Sequence, residues 1–276
     1  MPPARSPHDD LVLTLRSAGC VFAEDEARLL MDATDSPERL QDMVARRIDG
    51  NPLETILGWA EFCGLRIAVE PGVFVPRQRT ELLVRAALAL VAEQAPTVVL
   101  DLCCGSGALG VAVAAGLGAV ELVAVDVDPA AVRCAAGNVR PFGGRAYCGD
   151  LYDAVPDALR GRVVLLLANT PYVPTAAIAG LPPEARWYEP LTALDGGPDG
   201  LDLQRRAIGG APGWLAPGGS ILVETSDEQA DGSLALMRAA GLAARLITDD
   251  ESGATVAIGT MFAVTRPAYA GHRPVT

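Results

Sequence analysis

The sequence predicts an α/β protein: a parallel sheet covered by helices on both faces, with an antiparallel edge. A small helical module and a β-hairpin linker precede it. Three observations carry this. From residue 97 onward, short apolar runs alternate with helical segments, the pattern of repeated β-α units. Residues 163–167 are five consecutive aliphatics, as in a strand buried on both faces. Before residue 57 no segment reads convincingly as a strand.

The elements are taken in chain order. Leu11, Val12 and Leu15 share one helical face. So do Ala27, Leu30 and Met31, and then Leu40, Met43, Val44 and Ile48. Residues 35–38 (Asp-Ser-Pro-Glu) signal a helix start, with proline just inside the cap. Three or four helices over 1–57 have a thin core and should lean on the rest of the chain. Residues 58–78 read as a hairpin linker, with two short strands around Gly64 and an extended segment at 73–75. The remainder, 79–276, is the larger domain. It opens with a helix over 79–93, with Leu82, Leu83, Ala86, Ala87 and Leu90 on one face. Strands are expected at 97–102, 120–126, 145–148, 163–168 and 220–224, and helices at 108–115, 129–139, 203–215 and 229–240. Two last strands near 243–248 and 254–262, without an intervening helix, make the antiparallel edge. Residues 174–200 are loop-rich, and loops of that length inside a domain tend to be functional.

Composition excludes several chemistries. Half of the 276 residues are hydrophobic, enough for a sizeable core. All 22 basic residues are arginine, so Schiff-base and P-loop lysine chemistry are out. The two histidines, His8 and His272, lie near the ends, where a catalytic triad or a histidine-rich metal site would have to draw them inward. A net charge of −12 disfavours a surface for duplex nucleic acid. Six cysteines without a CxxC spacing read as reduced thiols in a cytosol. The first ten residues are polar, so no secretion signal is expected. The apolar run 108–120 is shorter than the roughly 20 residues that span a bilayer. A cytoplasmic protein with no membrane contact and no bound metal is expected.

Four short segments at strand ends can carry chemistry. Residues 101–107 (DLCCGSG) come after a buried strand and open a helix, where small residues and free N–H groups let a ligand approach. Asp101 there disfavours a pyrophosphate and suits a cationic or neutral ligand, such as the amino group of a methionine moiety. Asp126 ends the next strand, where a carboxylate can accept from both hydroxyls of a ribose, while Asp128 before Pro129 fits a helix cap. Residues 148–152 (CGDLY) come after the third strand, and Asp150 could accept from an adenine amine or stand in a surface turn. The run 163–168 ends in Asn169-Thr170-Pro171-Tyr172. The Asn169 side-chain oxygen and the next backbone carbonyl can accept both protons of a planar NH2. Proline fixes the turn, and tyrosine offers an aromatic face. Two acceptors holding that nitrogen as it rehybridises stabilise developing positive charge without a titrating base.

In this order the segments resemble a class I (Rossmann-like) methyltransferase using S-adenosylmethionine. More specifically, they resemble the HemK/PrmC family, which methylates the glutamine side-chain amide in the GGQ motif of peptide-chain release factors. Residues 56–64 (ILGWAEFCG) and 72–81 (GVFVPRQRTE) resemble the family's hairpin linker, which usually ends in IPRPETE. Glu189-Pro190 and residues 193–201 resemble its loop after NPPY, and Glu224 with Gln229 its later E-x-x-x-x-Q segment. The resemblance implies S-adenosylmethionine as cofactor, contacted by Asp101, Cys103, Cys104, Gly105, Ser106, Gly107, Asp126, Val127, Asp150, Leu151 and Asn169. It also implies that Asn169, Thr170, Pro171 and Tyr172 hold the acceptor amide, with Arg77, Thr80 and Glu81 nearby. A release factor is the implied partner. Arg77 and Glu81, four apart, are also spaced to pair at a helix start. The sequence departs from the family in four places: NTPY stands for NPPY, DLCCGSG for DLGTGSG, and VPRQRTE for IPRPETE, so that Gln78 and Arg79 replace a proline and an acid, and residues 250–256 (DESGATV) stand where the family has an arginine-bearing segment.

Three other readings stand beside this one. A divergent paralogue could act on another protein or on a small amide or amine. An adenine-N6 methyltransferase would need a basic recognition region, and only the scattered Arg238, Arg245, Arg266 and Arg273 are present toward the C-terminus. A non-catalytic binding module would result if the substituted loops had lost transfer.

Overall fold

The computed structural model describes residues 6–91 and 97–263. His272, Arg266 and Arg273 lie outside the described residues, and the helix expected over 79–93 is shorter, running over Glu81–Leu90 with Val91 already extended.

Four helices come first: α1 (Pro7–Ser17), α2 (Ala23–Asp32), α3 (Pro37–Ile48) and α4 (Leu53–Leu57). Ser6 caps α1 by accepting the Asp9 N–H, and Asp9 accepts the Ser6 N–H in return. Ser36 caps α3 ahead of Pro37 at its first position. Leu15, Ala27, Leu30 and Met43 form the centre of a core that belongs to this module alone. Ile48, expected on that apolar face, is the last residue of α3 and is exposed. The module is tied down by Arg47, whose guanidinium donates to both Glu26 oxygens at 2.6 and 3.1 Å.

The hairpin pairs β1 (Trp59–Phe62) with β2 (Leu65–Ala68) across Cys63 and Gly64, both at positive φ as a two-residue turn requires. Phe62 and Ile67 enter the core of the large sheet, so the hairpin is seated on it. The segment after Arg77 is a 3-10 turn (Gln78–Thr80) leading into α5 (Glu81–Leu90).

The sheet strands and helices are β3 (Thr97–Leu102), α6 (Ala108–Leu117), β4 (Val120–Asp126), α7 (Pro129–Val139), β5 (Arg145–Cys148) and β6 (Val163–Ala168). Then come α8 (Pro183–Tyr188), α9 (Asp202–Gly210), β7 (Leu215–Thr225), α10 (Ala230–Ala239), β8 (Ala243–Asp249) and β9 (Ala254–Thr260). The order across the sheet is β5-β4-β3-β6-β7-β9-β8. Strand β9 is antiparallel to both neighbours, while the other pairings are parallel. The last hairpin thus slots its second strand inward and leaves β8 at the edge.

Two expectations need correction. The helix expected over 203–215 stops at Gly210, and β7 starts at Leu215 rather than at 220. Pro212 lacks the N–H that a helix interior needs. A register shift in the β6–β7 pairing then lets the strand run past Pro217. The region 174–200 is also less irregular than expected: it contains α8 and two 3-10 segments, Thr175–Gly180 and Leu191–Ala193.

Apolar side chains cover both faces of the sheet. Val99, Leu165, Leu167 and Leu222 face α5 and α6, and Leu100, Leu102, Leu166 and Val223 face α9 and α10. Each fully buried aliphatic of this kind contributes roughly 1.5–3 kcal/mol. Register then positions the site. Leu102 pairs with Val125 on one side and with Ala168 on the other. The next residues, Cys103, Asp126 and Asn169, therefore stand side by side at the strand ends, where the strand order reverses and α/β folds bind ligands.

Candidate active site

A cavity of about 800 Å³ opens at these strand ends. Cys103, Cys104, Gly105 and Ser106 form one wall. Cys103 takes φ +54°, a left-handed conformation that glycine adopts more easily. The Cys104 N–H donates to the Val125 carbonyl at 3.1 Å, and the Gly105 N–H to Asp126 Oδ2 at 2.9 Å. Gly107 does not line the cavity. It starts α6 at φ +78°, where a Cβ would stand 3.2 Å from Val139 Cγ1 and 3.3 Å from Ala135 Cβ. Its role is to let α6 pack against α7.

Asp101 lies beneath this loop, fully buried and off the cavity wall. Its Oδ2 accepts the Gly110 N–H at 2.9 Å, and its Oδ1 has no partner among the described residues. Burial pushes its carboxyl up to about 8. Asp126 lines the cavity and accepts the Gly105 and Asp128 N–H groups, one on each oxygen. Burial raises its pKa, and those hydrogen bonds oppose the rise. Val127 lines the cavity from an exposed position. Asp128 caps α7 through the Ala130 N–H, as its place before Pro129 suggests.

Asp150 and Leu151 reach the cavity after β5. Leu151 is buried at φ +49°. The Asp150 carboxylate already accepts from Arg206 on α9 at 2.8 Å. Arg206 also lines the cavity, and nothing in its local sequence marks it.

The other end is formed by Asn169, Thr170, Pro171 and Tyr172. Asn169 Nδ2 donates to Thr80 Oγ1 at 3.5 Å, which points the amide oxygen the other way. Thr170 is 1% exposed, and its hydroxyl has no partner among the described residues. The Tyr172 hydroxyl donates to Glu224 Oε1 at 3.1 Å and accepts from Arg79. Burial pushes this phenol up to about 12. The Tyr172 carbonyl accepts from Gln229 Nε2 at 2.8 Å, which also donates to Asp199. Gly200, at φ +76°, is needed here, since a Cβ would collide with the Tyr172 carbonyl oxygen.

The linker contributes Arg77, Arg79 and Thr80. Arg77 and Glu81 do not pair, contrary to their spacing. Arg77 binds the buried Glu189, and Glu81 turns away from the cavity to accept the Cys63 N–H at 2.8 Å. The 3-10 turn between them removes the helical offset that would have brought them together. Glu189 keeps Oε2 without a partner among the described residues, and burial raises its pKa. Residues 174–200 close over this end and are held from behind. Arg47 donates to Glu184 at 3.1 Å, and the Tyr188 hydroxyl donates to the Asp49 carbonyl at 2.7 Å. Trp187 stays exposed, so Tyr188 is the residue that pins the loop.

The sheet order, with these loops at its switch point, defines the class I methyltransferase fold. The T. thermophilus 16S rRNA N2 G1207 methyltransferase, solved with AdoMet and guanosine, shares it. The TM-score is 0.54 and the identity 20%, covering 74% of this chain and 49% of that one. The family described as "Ribosomal protein L11 methyltransferase (PrmA)" matches residues 78–146. The release factor glutamine methyltransferase of Geobacter sulfurreducens is 39% identical over 229 residues, covering 81% of this chain and 79% of its own. The chain belongs to the release factor glutamine methyltransferase family. A 4-amino-L-phenylalanine/4-methylamino-L-phenylalanine methyltransferase of Streptomyces pristinaespiralis is 38% identical over 211 residues, covering 74% of this chain and 71% of that one.

Proposed function

We propose that the protein transfers a methyl group from S-adenosylmethionine to the side-chain amide nitrogen of a polypeptide glutamine, that of the GGQ motif of a peptide-chain release factor. One observation carries this reading: a single cavity joins the loop after β3 and Asp126 to Asn169 and Tyr172. The chain fits the cofactor. The wall at 103–106 is built of small residues, and Asp126 offers a carboxylate at the strand end.

In this reading Cys103, Cys104, Gly105 and Ser106 hold the methionine part, Asp126 the ribose, and Val127, Asp150 and Leu151 the base. The cofactor supplies an electrophilic methyl group on a sulfonium. The chain supplies the rest. Asn169 Oδ1 and the Thr170 carbonyl accept the two N–H groups of the acceptor, and Tyr172 packs against its plane. An amide lone pair is delocalised, so these acceptors stabilise the charge that develops as the nitrogen becomes tetrahedral, until one of its two protons is released to solvent. Thr80 keeps Asn169 turned for this task.

The test is transfer from labelled cofactor to a GGQ-containing release factor, with methylglutamine read by mass spectrometry. Asn169→Ala should lose transfer by at least about 100-fold, the scale of one lost transition-state contact, while calorimetry shows cofactor still binding. Undiminished turnover by that variant would overturn the assignment.

A second reading, a free aromatic amine as acceptor, is favoured by the match to the Streptomyces relative together with Arg79 at the acceptor end. An aniline-type NH2 is also planar and weakly nucleophilic, so the same two acceptors would serve it. In the same assay, 4-amino-L-phenylalanine separates the two.

A further inference from the structure

We infer that Arg79 is a specificity determinant that selects an acceptor bearing a carboxylate in addition to the NH2 that is methylated. The inference rests on the reading that Asn169 to Tyr172 hold that NH2.

Arg79 places a positive charge at the acceptor end of the cavity, in a chain whose net charge is −12. The side chain lines the acceptor end and is 49% exposed. Two of its contacts are fixed: Nε donates to Glu224 Oε1 at 3.3 Å, and Nη2 donates to the Tyr172 hydroxyl at 2.5 Å. A guanidinium carries five N–H donors. Nη1 is left without a partner among the described residues.

The simpler role would be that of counterion to the buried Glu224. The geometry argues otherwise. A counterion to a buried carboxylate is expected to make the two-pronged contact that guanidinium and carboxylate favour. Here a single, long contact reaches Oε1, which the Tyr172 hydroxyl already serves, and Oε2 is left buried without a partner among the described residues. The guanidinium is committed instead to the tyrosine that flanks the acceptor. The charged groups around it are mostly acidic. The chain carries −12, and Asp126, Asp150 and Asp195 also line the cavity, so an anionic acceptor would be repelled without a local positive charge. Arg77, the neighbouring guanidinium, is bound to Glu189.

The carboxylate has two possible sources: an acidic side chain beside the acceptor glutamine, or the α-carboxylate of a free amino acid. Matched probe pairs separate them. One pair is a GGQ peptide with glutamate or glutamine at the residue flanking the acceptor. The other is 4-amino-L-phenylalanine and its carboxamide. kcat/KM is measured for the full chain and for Arg79→Gln and Arg79→Lys. The expected result is a preference of at least tenfold for the carboxylate-bearing member of one pair, expressed mainly in KM. In Arg79→Gln the ratio should fall to near one, and in Arg79→Lys it should be intermediate. The pair that shows the effect names the source. Transfer without a carboxylate preference, or a preference that survives Arg79→Gln, overturns the inference and leaves the NH2 site standing. No transfer to any probe or to an intact release factor, with cofactor bound, overturns the NH2 site itself and the inference with it.

Discussion

Asp101 shows how far one residue's state depends on its surroundings. In the unfolded chain its pKa is about 3.9, whereas burial holds it at about 8 in the fold. Between those values the folded protein keeps a proton that the unfolded chain has lost. Asp101 therefore favours the fold fully at low pH, and this contribution declines as pH rises from about 4 towards 8. Urea midpoints of the protein without cofactor should fall across that window, and more gently in Asp101→Asn. Parallel declines in the two proteins would show that Asp101 is not the source. Gly110 makes a steric argument beside it. A Cβ there would stand 2.8 Å from Leu122 Cδ1 and 3.1 Å from Asp101 Oδ2, in the first turns of α6. Gly110→Ala should cost about 1–3 kcal/mol, measured by denaturant unfolding, and a neutral effect would mean that α6 shifts freely.

At the scale of elements, α3 and α8 are joined by a polar clasp. Arg47 serves Glu26 within the helical module and Glu184 across to α8, and Tyr188 binds Asp49. Arg47→Ala leaves Glu26, 7% exposed, without its cation. It should destabilise the protein by about 3 kcal/mol, read by thermal unfolding, and increase proteolysis at 174–200. Loss of stability without new cleavage there would confine Arg47 to the module. None of this clasp is legible in the sequence, since its partners lie 137 and 139 residues apart in the chain. The strand ends are legible, because a buried strand followed by small or acidic residues is a local pattern, as at Asp126 and Asn169. The start of β7 is not, because it depends on a register shift against β6 that only the assembled sheet defines. Likewise Arg79 is visible as a change of charge, but its commitment to Tyr172 and Glu224 is a contact between distant segments.

For the whole molecule, a net charge of −12 is distributed over a surface with many arginine–carboxylate pairs, such as Arg16 with Glu24 and Arg85 with Asp249. Exposed pairs of this kind contribute at most about 1 kcal/mol each, while the excess of negative charge opposes the compact state. Raising ionic strength from a few millimolar to about 0.15 M shortens the Debye length to about 8 Å. It should raise Tm, and a fall in Tm would mean that the pairs dominate. Among the described residues no helix is long and apolar enough to cross a membrane.

The double pairing of Leu102, with Val125 on one side and Ala168 on the other, has a consequence for how such a protein diversifies. The floor of the site is laid by backbone hydrogen bonds, which do not depend on which side chains come next. A one-residue slip in either pairing would turn every side chain of a strand to the opposite face and disrupt the packing on both sides of the sheet. The loops that begin one residue later are under no such constraint. Cysteines can replace glycine and threonine after β3, and threonine can replace proline after β6, without moving the positions from which Cys103, Asp126 and Asn169 emerge. New acceptors become accessible by editing the rim one loop at a time, each step inheriting an intact floor.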